Sequence, residues 1–256
     1  MARNTVLTQR QREQVMAFPH PDDTRLIARS YLFSEQDIEI IRQQDSESNQ
    51  FAFALHLCVL RYPGRVWRID EQLPEYLINL VAEQLALPAS VLNNYEHDYG
   101  TRRSQLYRLR QQFGFRLFND TTKQSLRDWM MPNALSTDKA IVLMNLLLSK
   151  MRREQIIIPA LSLLEDFLHG IIQEANQQTY RALTSELSTP QREMLSVLLA
   201  NREDSDKSYA HWLQQPAGKT NVNNLLAILD RLTFLQKMQL GVPEGYAVNA
   251  NRLSQL

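Results

Sequence analysis

The clearest pattern of hydrophobic positions in the chain is a nearly unbroken apolar run at residues 51–60, interrupted by a single polar side chain, His56. The run is shorter than the roughly 20 apolar residues that a membrane-spanning helix needs. We therefore predict a helix that is buried on most of its circumference. Pro63 and Gly64 follow closely and are expected to end it abruptly.

Helical periodicity recurs along the rest of the chain, and alternating strand patterns do not appear. The only clear β-branched run is residues 156–158, and the chain has only 7 Gly and 10 Pro. We therefore predict an all-α fold. The predicted helices cover residues 8–17, 34–44, 49–61, 74–85, 89–95, 102–113, 122–131, 138–152, 160–186, 190–200, 208–214 and 222–238.

The same pattern divides the chain into three predicted parts. The first is a larger N-terminal helical domain at residues 1–155, which begins with a polar arm at residues 1–12. An apolar connector then leads into a long linking helix within residues 156–187. Residues 188–256 follow as a smaller C-terminal helical module. At 256 residues the chain is long enough for one large or two to three small domains.

The distribution of charge changes what the total charge implies. The chain has 28 Lys and Arg against 28 Asp and Glu, so its formal net charge is zero, which by itself argues against a nucleic-acid partner. Residues 99–153, however, contain eleven Lys and Arg against three Asp and Glu, whereas the remainder to the C-terminus contains eight against eleven. Because a phosphate backbone responds to charge within about 10 Å, the central region favours contact with DNA.

The turn after the apolar helix is the first candidate for such contact. It places three cations, Arg61, Arg65 and Arg68, around the aromatic residues Tyr62 and Trp67. A buried helix that delivers a rigid turn with arginines and aromatics suits a polyanionic partner. The alternative is an ordinary core helix followed by a solvated loop.

The second candidate is residues 78–95, whose apolar spacing is that of a helix-turn-helix. Ala86 occupies the turn position where glycine is usual. The second helix would present Ser90, Asn93 and Asn94 to solvent, and asparagine pairs with adenine in the major groove. The alternative is a short helical hairpin without a DNA role.

The helix at residues 102–113 is the stronger candidate. A rotation of about 100° per residue places Leu106, Leu109 and Phe113 on its buried face. Two arginines in the first turn oppose the helix dipole, which favours an external anion that compensates them. A solvated basic helix is the alternative. The candidate DNA-binding residues of this helix are Arg102, Arg103, Ser104, Gln105, Tyr107, Arg108 and Gln111, with Gln105 and Tyr107 on the flanks.

The C-terminal module contains a sequence similar to part of a phosphate-binding loop, residues 218–220. The full pattern requires a glycine where this chain has Leu213, and a preceding strand, so we exclude nucleotide binding. We predict instead that Lys219, Asn221 and Asn223 cap a helix and contact phosphate or base edges.

No residue pattern predicts catalysis, a metal site or a cofactor for this stretch. The five His are scattered, and Cys58 is the one cysteine of the chain. Metal-dependent strand transfer needs clustered carboxylates on a rigid scaffold. The acidic positions Glu203, Asp204 and Asp206 are interpreted as a solvated loop rather than a cation site.

Eight segments of the chain carry a resemblance to a known family. They read LHLCVLRYPGR, YLINLVAEQLAL, TRRSQLYRLRQQFGFRLF, MPNALSTDKAIVL, IIIPALSLLE, YRALTSELSTPQREML, WLQQPAG and NLLAILDRL. In this order, from about residue 31 to the C-terminus, they closely resemble the N-terminal part of the Tn-three family transposases, which are the class II, replicative enzymes.

The resemblance implies sequence-specific binding of duplex DNA at the terminal inverted repeats of a transposon, by several modules of helix-turn-helix type. Family catalytic carboxylates lie well downstream, so this stretch is expected not to be an enzyme. Expected partners are double-stranded DNA and either other transposase regions or a second transposase copy. The alternative is a helical scaffold that assembles a transposition complex. Without a visible signal peptide or membrane span, we expect a cytoplasmic protein.

Overall fold

The computed structural model describes residues 6–68, 71–95, 99–185, 187–202, 205–216, 218–219 and 221–238. Within these residues the fold is all-α, as predicted, and contains no β-sheet. A 3₁₀ helix, Ala89–Asn94, lies between α5 and α6. The α-helices are α1 Gln9–Met16, α2 Thr24–Tyr31, α3 Glu35–Arg42, α4 Glu47–Arg61, α5 Glu75–Leu85, α6 Tyr99–Phe113, α7 Asp120–Ser136, α8 Ala140–Arg153, α9 Leu161–Thr184, α10 Thr189–Val197, α11 Tyr209–Leu213 and α12 Val222–Lys237.

Every predicted helical segment overlaps an observed helix, but two elements differ from the prediction. Residues 89–94 form a 3₁₀ helix rather than an α-helix. Helix α2 is an additional helix of eight residues that the sequence pattern does not predict. Its last residue, Tyr31, is fully buried, and its hydroxyl donates a hydrogen bond of 2.9 Å to the carbonyl oxygen of Tyr62.

The chain divides into two compact units, Met1–Ala175 and Asn176–Ser254, so the main boundary falls within α9. The sequence-based domain limits at residues 155 and 187 stay a prediction. Among the described residues, no helix is long and apolar enough to cross a membrane.

Helix α4 forms the centre of the first hydrophobic cluster in the N-terminal unit. All ten residues from 51 to 60 are buried, which confirms the predicted burial. Helices α2, α3, α5 and α6 and the 3₁₀ helix all pack against α4. The helix ends at Arg61, and Gly64 adopts a φ of 102°, a conformation that glycine permits and other residues disfavour.

A second hydrophobic cluster of the same unit is built from α7, α8 and α9. Leu7 and Val15 from the N-terminal residues join it. The guanidinium of Arg12 forms an ion pair of 2.5 Å with Glu165, and the backbone N–H of Leu7 donates to the same carboxylate. Residues 6–12 are therefore held against α9.

An extended segment at residues 156–158 lies between the two clusters. Ile157 belongs to the α4 cluster, whereas Ile156 and Ile158 belong to the α7–α9 cluster, since successive side chains of an extended segment point in opposite directions. The N–H groups of Ile157 and Ile158 each donate a hydrogen bond of 2.8 Å, to the carbonyl oxygens of Arg116 and Gly64. The β-branched run of the sequence thus joins the two clusters.

The C-terminal unit is organised in part by an aromatic cluster. The rings of Tyr209 and Phe234 are stacked with centroids 4.9 Å apart, and Trp212 meets Phe234 edge-on at 5.7 Å. The guanidinium of Arg231 donates a hydrogen bond of 2.5 Å to the carbonyl oxygen of Gln215. These contacts join α11 to α12.

Candidate nucleic-acid interface

Helix α6 is anchored to the N-terminal unit by one face. Leu109 is fully buried, and the half-buried residues Leu106 and Phe113 pack against the α4 cluster. These are the three residues that the helical period placed on the buried face, so that prediction is confirmed. The opposite face of α6 is thereby fixed in orientation.

The opposite face of α6 is polar, basic and exposed. Among the predicted site residues, Arg103, Ser104, Tyr107, Arg108 and Gln111 are exposed, and Tyr107 has 60% of its surface accessible. The α6 sequence contains no Asp or Glu, so no carboxylate of the helix itself offsets its arginines.

Arg102 and Arg108 differ in how far they are exposed and in what holds them. Arg102 is half-buried rather than fully exposed. The guanidinium of Arg108 lies 3.4 Å from the side-chain oxygen of Gln44, a weak hydrogen bond that leaves its remaining donors available. Within the described residues, one nitrogen of the Arg108 guanidinium is therefore held by a hydrogen bond, and this bond is weak.

Gln105 corrects the prediction, because its side chain lies inside the protein. It is only 3% exposed. Its oxygen accepts a hydrogen bond of 3.0 Å from the Tyr95 hydroxyl, and its amide nitrogen donates one of 3.2 Å to the carbonyl oxygen of Asn49. Gln105 joins α6 to α4 and to the 3₁₀ segment, so it is removed from the candidate contacts with DNA.

Arg61 is a second correction, since its guanidinium is bound within the protein. It donates two hydrogen bonds, of 2.8 and 2.9 Å, to the carboxylate of Asp37, which is only 7% exposed. A third bond of 3.3 Å goes to the carbonyl oxygen of Leu32. A buried carboxylate requires such a partner, so Arg61 has a structural role.

Arg65 is bound in the same way. Its guanidinium donates two hydrogen bonds to the carboxylate of Glu71, one of them 2.6 Å long, and a third to the carbonyl oxygen of Val66. Burial alone would raise the pKa of Glu71, but the hydrogen bonds and charge of Arg65, with a smaller effect of Arg68, lower this pKa below its ordinary value. Neither predicted arginine of this turn is therefore available to DNA without breaking an ion pair.

Ion pairs also offset part of the positive charge of residues 99–153. Four cations of the region have a carboxylate within 4 Å: one on the segment after α6, two on α7 and one on α8. Hydrogen bonding to Lys150 lowers the pKa of Glu154, and Arg116 adds to the effect. The pairs are Arg116 and Lys150 with Glu154, Lys123 with Asp120, and Arg127 with Glu174. Arg103 and Arg108 of α6 are exposed and have no carboxylate partner among the described residues.

The predicted helix-turn-helix has a first helix and a turn, but its second element differs. The turn residue Ala86 has φ 54° and ψ 39°, the left-handed conformation that favours glycine. The 3₁₀ helix that follows has three residues per turn, so Ser90 and Asn93 lie on one side and Asn94 lies about 120° away. All three are exposed, as predicted, but no second α-helix presents them.

The loop before α12 holds the predicted residues of the C-terminal module. Asn221 caps α12, because its side chain accepts a hydrogen bond of 2.8 Å from the backbone N–H of Asn224. Lys219 and Asn223 are exposed. Thr220, Glu203 and Asp204 lie outside the described residues. Among those described, no group of three His, Cys, Asp or Glu is placed to hold a metal ion.

Two exposed arginines that the sequence pattern does not indicate, Arg29 and Arg153, lie at the ends of α2 and α8 and line one cleft. No local periodicity marks such a pair, because the fold alone brings the two helix ends together.

Comparison with known proteins identifies what the chain is similar to. A family model described as a domain of unknown function, DUF4158, matches residues 6–171. The chain is 34% identical over 256 residues to the transposase for transposon Tn3926 of Escherichia coli and 33% identical over 257 residues to that for transposon Tn501 of Pseudomonas aeruginosa. It is 27% identical over 253 residues to the transposase for transposon Tn1546 of Enterococcus faecium.

These alignments cover 98–100% of this chain but only 25–26% of each transposase. The chain thus spans about a quarter of the length of the curated relatives that it matches, and it corresponds to their N-terminal part.

Proposed function

We propose that this chain binds duplex DNA in a sequence-specific manner. It belongs to the DUF4158 family, and its sequence matches the N-terminal part of the Tn-three family transposases. Its target is the terminal inverted repeat of a transposon, and its role is to position the transposon ends in replicative DNA transposition. The observation that carries this proposal is the exposed face of α6, which bears Arg103, Arg108 and Gln111 without a carboxylate in the helix.

The chemistry of this face matches the major groove. The groove is about 12 Å wide and admits an α-helix. Arginine binds guanine through two hydrogen bonds and glutamine binds adenine in the same way, so Arg103, Arg108 and Gln111 have base partners available. Tyr107 and Ser104 lie between them and supply hydroxyl groups for phosphate or base edges.

Other parts of the chain extend the contact in this proposal. Ser90, Asn93 and Asn94 of the 3₁₀ helix and the loop before α12, with Lys219 and Asn223, are exposed and polar. Several modules linked in one chain bind a long site more tightly than any of them alone, because the first contact raises the effective concentration of the next.

We assign no catalytic step to this chain, since two-metal strand transfer needs clustered carboxylates on a rigid scaffold. With Mg²⁺ or Mn²⁺ and a transposon-end duplex, the chain is expected neither to nick nor to join DNA. Metal-dependent nicking that survives purification and disappears when Glu203, Asp204 and Asp206 are all changed to Ala would contradict this assignment.

A second candidate function is assembly, in which the chain contacts other transposase regions or a second transposase copy. The observation that favours it is a row of exposed leucines on α12, among them Leu225, Leu229 and Leu232. Large exposed apolar patches commonly mark protein interfaces. This candidate concerns the C-terminal unit, whereas the DNA-binding proposal depends first on α6.

The test compares a transposon-end duplex with a scrambled duplex of equal length and composition. At about 150 mM salt we expect the end duplex to bind roughly 10³-fold more tightly. Equal affinity for the two duplexes would reject sequence-specific recognition.

The variant Arg108→Ala locates the contact. It should weaken binding of the end duplex by about 1–3 kcal/mol if Arg108 reads a base, or reduce the salt dependence by about one unit if it contacts phosphate. Arg181→Ala, which removes an exposed arginine at the end of α9, is the matched control and should bind like the wild type. Unchanged affinity of the Arg108 variant would remove α6 from the interface.

A further inference from the structure

A cleft in the N-terminal unit is lined by four arginines, and none of the described residues that line it is a carboxylate. It lies where the last turns of α2, α4 and α8 meet. Arg29 comes from α2, Arg61 from the end of α4, and Arg152 and Arg153 from the end of α8. Only the tertiary fold brings these side chains together, since they come from three separate helices.

Two of the four arginines are held in place by the protein. Arg152 donates hydrogen bonds of 2.7 and 3.2 Å to the carbonyl oxygens of Pro63 and Val15, and its guanidinium lies 4.4 Å from the centre of the Tyr62 ring. Arg61 is bound to Asp37. These two form a rigid basic wall.

Arg29 and Arg153 differ from that wall, because both are exposed and neither has an ion-pair or hydrogen-bond partner among the described residues. Their guanidinium donors are therefore available to an external acceptor. Arginine matches the geometry of phosphate through two parallel hydrogen bonds, which makes it well suited to that acceptor.

A simpler explanation is that these arginines offset the helix dipoles. Three helices end at the cleft, and each carboxyl end carries about half an elementary negative charge. The positive charge of the four guanidinium groups is larger than the combined negative charge of the three helix ends and the Asp37 carboxylate. The difference is roughly one to two charges. The excess is greatest at Arg29 and Arg153, which face solvent.

The cleft begins where α6 ends. The guanidinium of Arg61 lies 5.8 Å from the ring centre of Phe113, the last residue of α6, and Phe115 lines the cleft itself. When a helix lies in the major groove, a phosphate backbone runs along each side of it. A basic cleft next to the end of α6 is therefore adjacent to the path of one DNA strand.

We propose that this cleft holds the phosphate backbone of the DNA strand that flanks the bases contacted by α6, with Arg29 and Arg153 as the residues that bind phosphate. The inference rests on the proposed DNA binding by α6 and adds a second contact surface to it. Because phosphates are the same at every base pair, the cleft contributes affinity and register rather than sequence preference.

The test measures the salt dependence of binding for the 256-residue chain and its Arg29→Ala/Arg153→Ala variant, on transposon-end and scrambled duplexes. Losing two phosphate contacts should lower the slope of log K against log salt by about 1.8. Between 50 and 200 mM salt the variant should then lose about tenfold less affinity than the wild type, on both duplexes alike. The ratio of affinities for the two duplexes should not change.

Controls separate this proposal from the loss of any surface charge. Lys139→Ala removes an exposed cation at the opposite end of α8 and should leave the slope at the wild-type value. Arg29→Lys/Arg153→Lys keeps the charge and should restore most of the slope. Because both arginines are exposed, thermal unfolding of the variants should match the wild type.

The outcomes distinguish the two proposals. If the wild type prefers the end duplex but the double alanine variant keeps the wild-type slope, the cleft proposal is overturned and binding by α6 stands. If the wild type binds both duplexes equally while the variant still loses about 1.8 units of slope, sequence-specific recognition fails and the phosphate cleft stands. A wild type without affinity for either duplex overturns both.

Discussion

Two arginine-rich regions of the N-terminal unit look alike in sequence and differ in structure. The turn after α4 carries Arg61 and Arg65, and α6 carries Arg103 and Arg108, in both cases beside aromatic residues. In the turn, each guanidinium is bound to a carboxylate. On α6, the helix has no acid, and Arg103 and Arg108 are exposed.

The density of arginine in a segment therefore does not identify an interface. The position of the nearest carboxylate determines whether an arginine is available to a ligand. Asp37 lies 24 residues before Arg61, and Glu71 lies six residues after Arg65. A buried or half-buried carboxylate needs a cation, so the arginine that pairs with it is not available to bind a ligand.

The largest expected effect is on the free energy of unfolding, and it tests the structural role of the arginines in the turn after α4. Arg61→Ala leaves the carboxylate of Asp37 buried without its partner, and the free energy of unfolding should fall by about 2–4 kcal/mol. Arg103→Ala, at an exposed position, should change it by less than about 0.5 kcal/mol. Denaturant titration of both variants measures the two values, and equal losses would remove the distinction.

The next effect concerns DNA affinity and runs in the opposite direction. Arg103→Ala should weaken binding of the transposon-end duplex by about 1–3 kcal/mol if the side chain reads a base. Arg65→Ala, measured at a temperature where it stays folded, should bind within about threefold of the wild type, since its guanidinium is already bound to Glu71. A stronger effect of Arg65 than of Arg103 would place the interface at the turn.

A smaller effect separates the two faces of α6. Gln105→Ala removes a buried side chain that bridges Tyr95 and Asn49, and the free energy of unfolding should fall by about 1–2 kcal/mol. The neighbouring Ser104→Ala, on the exposed face, should change it by less than about 0.5 kcal/mol. Denaturant midpoints of the two variants give the comparison, and the reverse order would mean that α6 is rotated.

The smallest effect is a pH dependence that the turn should have and α6 should lack. The pKa of Glu71 is lowered in the folded protein, so its stabilising effect is present above its ordinary pKa of 4.5 and is lost as the pH falls through the folded value. Glu71→Gln should therefore be less stable than the wild type near neutral pH, with the gap closing below about pH 4.5. The effect of Arg103→Ala should not vary in that range, and a gap that widens in acid would contradict the sign.

The parts of this structure that sequence predicts well are those fixed by local periodicity. The run at residues 51–60 predicts a buried α4, and spacing along α6 predicts the face that packs against the α4 cluster; both are confirmed. The sequence did not reveal that Gln105 is buried, because a polar side chain next to a buried face turns inward only if partners such as Tyr95 meet it there. Periodicity carries no information about such partners.

The same limit applies to the remaining differences. Helix α2 is stable because Tyr31 is buried by residues distant in sequence. The pairing of Arg61 with Asp37, and the meeting of Arg29 with Arg153 at one cleft, also depend on contacts between helices. Charge patterns along the chain identify the basic region, but only the fold determines which cations remain available.

The extended segment at residues 156–158 has a consequence for how the N-terminal unit loses its structure. Ile157 is buried in one hydrophobic cluster and its two neighbours in the other, so the segment cannot leave one cluster without leaving both. Melting of the two clusters should therefore be coupled into one cooperative transition, with matching rates of amide hydrogen exchange in α4 and α8. A DNA-contacting helix that packs against one cluster would then be held in place by the packing of both clusters.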